Sequence, residues 1–386
     1  MSNISTLKKM KGKSIKGKST EEIKKVLLES MADGFKPTLA FVFISSDLDR
    51  KFISSILDKE GIVIFGVTTV GVFNEDGVDT GSIVILLLDM NPDYFKMAIK
   101  DYPDGSAIAS GRFVGSLGKA AFGQPAFIIS GSNMEAPGEL IMRGILDEVN
   151  EKSTVIGGMA GDFVFTNHHE SHQGVLALII DETKVTLAGE AVSGWKAVGT
   201  EKTITECEGP WIHAIDGQPA MDVVRKFTGI ELNDPLRDDG YSHVGTTFPI
   251  QIQQEKGRPV MRPLLKFNPE DGSIMCGGSV VKGSRFRFSL PPDFEVVDSV
   301  IDSAREIKEN ELSDADALLV FSCIGRKVSL GPMASSEVLG IQEVWGKPMA
   351  GFFSMGEFGK TKNGNTQFHG TTISWVALKE ILNVEC

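Results

Sequence analysis

Long apolar runs are missing from this sequence. The longest core-like stretches, Ile83–Leu88 and Val175–Ile180 among them, are six residues each, against the roughly 20 that a membrane-spanning helix needs. They read as buried strands, and no transmembrane segment is expected. Cysteine is also scarce. Cys207, Cys276, Cys323 and Cys386 stand far apart with no C-x-x-C pair, which argues against a disulfide scaffold and fits a reducing compartment. The N-terminus has no apolar signal core and no arginine ahead of Arg50, so secretion and import signals are unsupported and a cytoplasmic setting is expected. Positive charge is in deficit: 39 Lys and Arg face 51 Asp and Glu, a net charge of −12. That balance argues against a nucleic-acid groove across the main body. Eight lysines fall within the first 25 residues, opposed only by Glu21 and Glu22. Residues 1–18 are therefore read as a basic, flexible terminus.

Glycine, in contrast, is plentiful. Its 42 residues among 386 exceed the average share of about 7%. No Gly-X-Y period is present, so collagen is excluded, and the charge and apolar content are those of a globular chain. The glycines should mark particular backbone sites.

Those sites emerge from an internal repeat. Ser19-Thr20-Glu21-Glu22 is a capping-box pattern, followed by a helical face of Ile23, Val26, Leu27 and Met31. A strand over 38–44, a helix over 46–60 and a strand over 62–65 come next, running into Gly66-Val67-Thr68-Thr69-Val70-Gly71. Strands over 81–88 and 94–99 complete the unit. The same order recurs with a helix over 106–121, a strand over 126–130 and a helix opened by Pro137. A strand at 154–156 then runs into Gly157-Gly158-Met159-Ala160-Gly161-Asp162, followed by strands over 175–180 and 185–188. The period is about 90 residues, which we read as a duplication. A third copy places a helix on Val296, Val300, Ala304 and Ile307, a strand over 317–321, and a strand over 349–353 ending in Ser354-Met355-Gly356-Glu357. Residues 210–290 are read as a diverged fourth copy. The first two strands of each unit, joined by a helix, should be parallel, and the later ones antiparallel. The expected fold is α/β (mixed α+β): two related domains, 19–195 and 196–386, with mixed sheets covered by helices.

Glycine bends at strand ends let a ligand approach the backbone. No Walker loop is present, because Val72-Phe73 stands where Lys-Ser/Thr would follow Gly66 and Gly71, and no strict G-x-G-x-x-G follows a strand. No cofactor is expected. The third unit holds the densest set of reactive residues: Cys323 and Arg326 after its first strand, Gly356 and Glu357 after its second, and His369 and Thr371 at its third. Strand ends in such units meet at one edge, where ligands bind. The Arg326 fork suits a carboxylate and Glu357 an ammonium group, together the two ends of an amino acid. Thr69 and Asp162 occupy comparable bend positions in the earlier units. Plainer readings stand beside these. Cys323 suits a buried apolar site, Arg326 and Glu357 suit pairing with each other, and His369 suits a strand end. An alternative makes Cys323 a nucleophile, His369 its base and Glu357 the orienting acid. His168 and His172 have i, i+4 spacing but fall in an expected hairpin loop without H-E-x-x-H order, so no metal site is expected.

Phe321-Ser322-Cys323-Ile324-Gly325-Arg326, Ala350-Gly351-Phe352-Phe353-Ser354-Met355-Gly356-Glu357-Phe358 and Phe368-His369-Gly370-Thr371-Thr372 resemble the C-terminal domain of the FIST family (F-box and intracellular signal transduction). The bends at 66–71 and 155–162 resemble strand-end motifs of its N-terminal domain, and Asp216-Gly217-Gln218-Pro219-Ala220 resembles the opening of its C-terminal half. The likeness spans about 35–380. It implies a sensory module for small ligands, amino acids or their derivatives, often fused to a signalling output. Recognisable units fill the chain from about 20 to 380, so we expect the output to be a separate partner protein. A scaffold with a vestigial site is a further option.

Overall fold

The computed structural model describes residues 9–102, 106–132, 138–230 and 243–381. The first unit comprises β1 (Gly12–Gly17), α1 (Thr20–Met31), β2 (Leu39–Ser45), α2 (Arg50–Lys59), β3 (Val63–Thr69), the hairpin β4 (Val72–Asn74) and β5 (Gly77–Asp79), and β6 (Ile83–Leu88). The second repeats it: β7 (Phe95–Asp101), α3 (Ala107–Ala121), β8 (Pro125–Gly131), α4 (Gly138–Glu148), β9 (Val155–Gly158), the hairpin β10 (Val164–Phe165) and β11 (Glu170–Ser171), and β12 (Gly174–Asp181). Local chemistry sets the helix starts. The Ser19 hydroxyl accepts from the Glu22 amide and the Asp49 carboxylate from the Phe52 amide, each satisfying a free first-turn donor. Pro137, expected to open α4, lies outside the described residues.

The third unit begins with β13 (Val185–Val192) and is then interrupted. The interruption holds β14 (Ala197–Glu208), β15 (Trp211–Ile215), β16 (Gln218–Pro219), α5 (Ala220–Thr228), α6 (His243–Thr247), β17 (Ile250–Ile252), β18 (Val260–Arg262), β19 (Leu264–Asn268), β20 (Ser273–Cys276) and β21 (Arg285–Ser289). The unit resumes with α7 (Phe294–Asn310), β22 (Ala317–Cys323), α8 (Ile324–Leu330), α9 (Met333–Trp345), β23 (Met349–Ser354), the hairpin β24 (Glu357–Lys360) and β25 (Thr366–His369), and β26 (Ile373–Glu380).

Class and duplication match the sequence reading: the sheets are mixed, with β2–β3, β8–β9 and β22–β23 parallel and the third strand of each unit antiparallel. The number of copies differs. Residues 197–289 are not a fourth unit. Their strands pair antiparallel throughout, in an eight-stranded sheet with its own core around Ile215, Val224, Ile250 and Phe286. Alternating strand patterns there lack the parallel pair that defines a unit.

The lysine-rich start also departs from expectation. Residues 12–17 form β1, paired with β6 from Gly12↔Leu88 to Gly17↔Ile83. Ile15 packs in the core beneath α1 while Lys13 and Lys16 pair with Asp33 and Asp79. Ile15 anchors this segment to the core, and β1 is the edge strand of its sheet, where lysines discourage further pairing. Residues 1–8 lie outside the described residues.

The sheets are closed by exchange. Hairpin β10–β11 of the second unit extends the first unit's sheet at β3. Hairpin β24–β25 of the third unit extends the second at β9. Hairpin β4–β5 of the first unit extends the third at β23. Each unit gives a hairpin to one neighbour and receives one from the other, in a cycle. The inner faces of the three sheets form one core containing Phe41, Phe65, Ile128, Leu178, Phe321 and Phe352. Helices cover the outer faces: α1 and α2 on the first, α3 and α4 on the second, α7 and α9 on the third.

The repeated glycines serve this exchange. Gly66, Gly157 and Gly351 stand at the same register, opposite Phe165, Phe358 and Phe73 of the incoming hairpins. A Cβ at Gly66 would lie 2.3 Å from the Phe165 ring, and one at Gly351 would lie 2.0 Å from the Phe73 ring. Nothing larger than hydrogen fits beneath those aromatics.

Candidate functional site

The bends bind each other. Gly161 donates its amide to the Thr68 carbonyl at 2.9 Å, Met159 to the Gly356 carbonyl at 2.8 Å, and Phe353 to the Gly71 carbonyl at 2.9 Å. Their exposed amides are thus met by neighbouring units rather than left for an oxyanion. Thr69, expected at the ligand, is fully buried and donates its hydroxyl to the Phe353 carbonyl at 2.9 Å. Asp162 is exposed at the surface of its bend. Neither joins the third unit's cluster.

Arg326 and Glu357 do not meet as the two ends of an amino-acid clamp. Arg326 is wholly buried and held bidentately by Glu337 of α9, with Nε–Oε2 at 3.0 Å and Nη2 on Oε1. Its Nη1 donates to the carbonyls of Ser193 at 2.6 Å and Thr371 at 3.1 Å, and its guanidinium lies 4.8 Å from the Trp195 ring centroid. This arginine ties α8 to α9 and to the start of the inserted sheet, leaving no fork for a ligand. Its partner was missed because Glu337 lies 11 residues on, across a break between two helices.

Glu357 has different company. Its Oε1 accepts from the Ser354 hydroxyl at 2.7 Å, and its Oε2 from the Thr372 hydroxyl at 2.7 Å and the Thr372 amide at 3.3 Å. Burial pushes its pKa up to about 8, the surrounding donors offsetting only part of the shift. The Cys323 thiol faces the same carboxyl, and burial together with Glu357 pushes that thiol well above its ordinary range. A thiol so placed is a poor nucleophile.

His369 pairs with Glu357 across β24–β25 and is fully buried. Neither ring nitrogen makes a well-formed hydrogen bond with Cys323 or any other described residue, the Gly359 backbone offering only a weak contact. Burial lowers its pKa to about 3, the Arg262 guanidinium adding to the effect and the Gly359 backbone opposing it. The imidazole is therefore neutral, a donor and an acceptor with only the weak Gly359 backbone contact between them. The Cys–His–acid arrangement is not assembled: the acid sits on the thiol, and the histidine on neither.

This histidine lines a cavity. About 410 Å³ of space lies between the third unit and the inserted sheet, walled by Trp195, Gln251, Arg258, Glu306, His369 and Thr372 among others. Arg258 is half-buried and makes no ion pair among the described residues. Its amide donates to the Thr361 hydroxyl at 3.3 Å, joining the inserted sheet to the β24–β25 loop at the cavity wall. Glu306 and Asp302, also at the wall, are held by Lys362 and Arg305. Thr371, beside the cavity, has φ 58° and a buried hydroxyl without a partner. A β-branched residue in the left-handed region is strained by about 1–3 kcal/mol, a cost usually kept at functional places. Trp195, Gln251 and Arg258 escaped the sequence reading because the repeat pattern drew attention to units, not to the segment between them.

Among the described residues no group of three or more His, Cys, Asp or Glu is arranged to hold a metal. His168 and His169 lie against Asp58 and Asp101 instead, at 3.4 and 3.2 Å. No helix of the described residues is long and apolar enough to cross a membrane.

The fold is a hairpin-exchanged mixed α/β core with a cavity against an inserted sheet. The FIST N domain profile matches residues 38–218 and the FIST C domain profile residues 220–360. The chain belongs to the FIST family, whose domains are sensory modules of signal transduction. No curated protein matches the sequence.

Proposed function

We propose that this FIST protein is a cytoplasmic sensor that binds a small molecule, an amino acid or a derivative, in the cavity between the third unit and the inserted sheet, and signals to a separate partner protein. The observation that carries this reading is His369: a fully buried imidazole with neither nitrogen in a well-formed hydrogen bond, at the wall of a cavity. A buried polar group without a partner costs about 1–3 kcal/mol, a cost that a ligand hydrogen bond offsets. Arg258, with no counter-ion among the described residues, supplies a cation for a carboxylate. Glu306 and Asp302 stand at the same wall, each already paired with a basic side chain, so an ammonium group would have to share them with Lys362 and Arg305. The ligand pair is thus Arg258 and His369, in place of Arg326 and Glu357.

The test is thermal denaturation against a panel of amino acids and their derivatives. A ligand at 100 times its Kd adds about 2.7 kcal/mol to native stability, read as a rise in Tm. Arg258→Met and His369→Phe should each abolish that rise. Absence of any shift across the panel, or a shift that survives both substitutions, overturns the assignment.

A further inference from the structure

We infer that Glu357, buried behind Thr372 of the cavity wall, is a proton switch, and that its protonation reverses the hydrogen bond it shares with Thr372. The inference rests on the cavity being the ligand site, because Thr372 both lines it and bonds Glu357.

The geometry isolates the carboxyl from positive charge. Both nearby guanidinium groups are spoken for: Arg326 by Glu337, and Arg262 by Glu139 at 3.0 Å. Titratable groups on the elements packed against β24 are few. β22 offers Cys323 and β25 offers His369, neither of them a cation. β13 carries Glu190, which accepts from Ser303. Lys379 and Glu380 sit at the far end of β26, bound to Asp314 and the Met10 amide. β9 has no titratable residue. A carboxylate here has hydroxyl, amide and thiol donors but no counter-ion, so the neutral acid persists to about pH 8.

The two forms ask different things of Thr372. An ionised carboxylate only accepts, so the Thr372 hydroxyl proton stays committed to it. A neutral acid has a proton of its own to donate. Given to the Thr372 oxygen, it frees the Thr372 hydroxyl proton for another acceptor. A bound molecule with an acceptor near Thr372 then favours neutral Glu357, and by linkage its binding takes up a proton on the alkaline side.

The test uses the full chain without ligand. Glutamate carboxyls labelled with carbon-13 and threonine methyls are followed by NMR from pH 5 to 10, with Glu357→Gln and Thr372→Ser identifying the signals. One carboxyl should titrate near pH 8 and be absent in E357Q, with the Thr372 methyl moving at the same midpoint. Thr372→Val, which removes a donor to the anion, should move that carboxyl midpoint higher, whereas T372S should leave it near its original place. A Glu357 carboxyl that titrates in the ordinary range, or a Thr372 methyl that ignores it, overturns the switch. If T372V does not fold, the titration of the unaltered chain still decides. No ligand is used, so an empty binding screen and a failed titration are separate outcomes.

Discussion

Three hairpins enter three sheets at the same register, and two of them differ sharply from the third. Val72 stands opposite Phe352, Val164 opposite Val67, and Glu357 opposite Gly158. All three are fully buried. Each is followed by a phenylalanine paired opposite a glycine, so the register is common to the set. Two units fill the preceding position with an aliphatic side chain that needs no partner. The third spends a carboxyl there and surrounds it with Ser354, Thr372 and Cys323. The fold therefore does not require an acid at this register. The phenylalanines belong to architecture and Glu357 to something else.

The shared part can be broken first. Phe73→Ala, Phe165→Ala and Phe358→Ala should each cost about 3–5 kcal/mol in chemical denaturation, and similarly to one another, since each is a buried ring opposite a glycine at the same register. One markedly smaller loss would show that the three junctions are not equivalent. The unshared part appears in pH dependence. Glu357 holds in the native state a proton that the unfolded chain releases above the ordinary carboxyl range. Its stabilising contribution is full below that range and is lost as pH rises towards about 8. Unfolding free energy of the unaltered chain should fall with a contribution of up to about 1.4 kcal/mol per pH unit across that window. Glu357→Gln should remove that contribution, so urea titrations at pH 6 and pH 8 would find the variant relatively more stable at the higher pH. The smallest effect belongs to the exposed bend of the second unit. Asp162→Ala should change stability by no more than about 0.5 kcal/mol and leave any ligand-induced Tm rise intact.

Much of each unit was legible in the sequence because its strands and helices carry strong periodic patterns. The buried run of β6 and the capped start of α1 needed only local chemistry. The hairpins β4–β5, β10–β11 and β24–β25 are two to four residues per strand, too short for a period to register. Their partners lie in other units, and no local pattern encodes that. Glycine enrichment at the bends was visible, but its cause was not: the atoms that exclude a Cβ at Gly351 belong to Phe73, which only the folded chain brings close. At the site, Cys323 and Glu357 do converge, as strand-end reasoning expected. Arg326 does not join them, because a bidentate acid on the following helix captures it. The cavity itself joins β25 to the inserted sheet, a contact between segments that share no repeat.

The exchange of hairpins also orders events in time. Strand β4 finds its acceptor, β23, only after about 275 further residues have been made, since Phe73 pairs with Gly351. Until then the first unit's hairpin has no sheet to join. The second unit's β9 likewise waits for β24. Long-range pairings of this kind are intrinsically slow to form, and unpaired strand edges are aggregation hazards while they wait. The ring is therefore an assembly that closes late and all at once: a nascent chain carries two unfinished sheets until its final strands emerge.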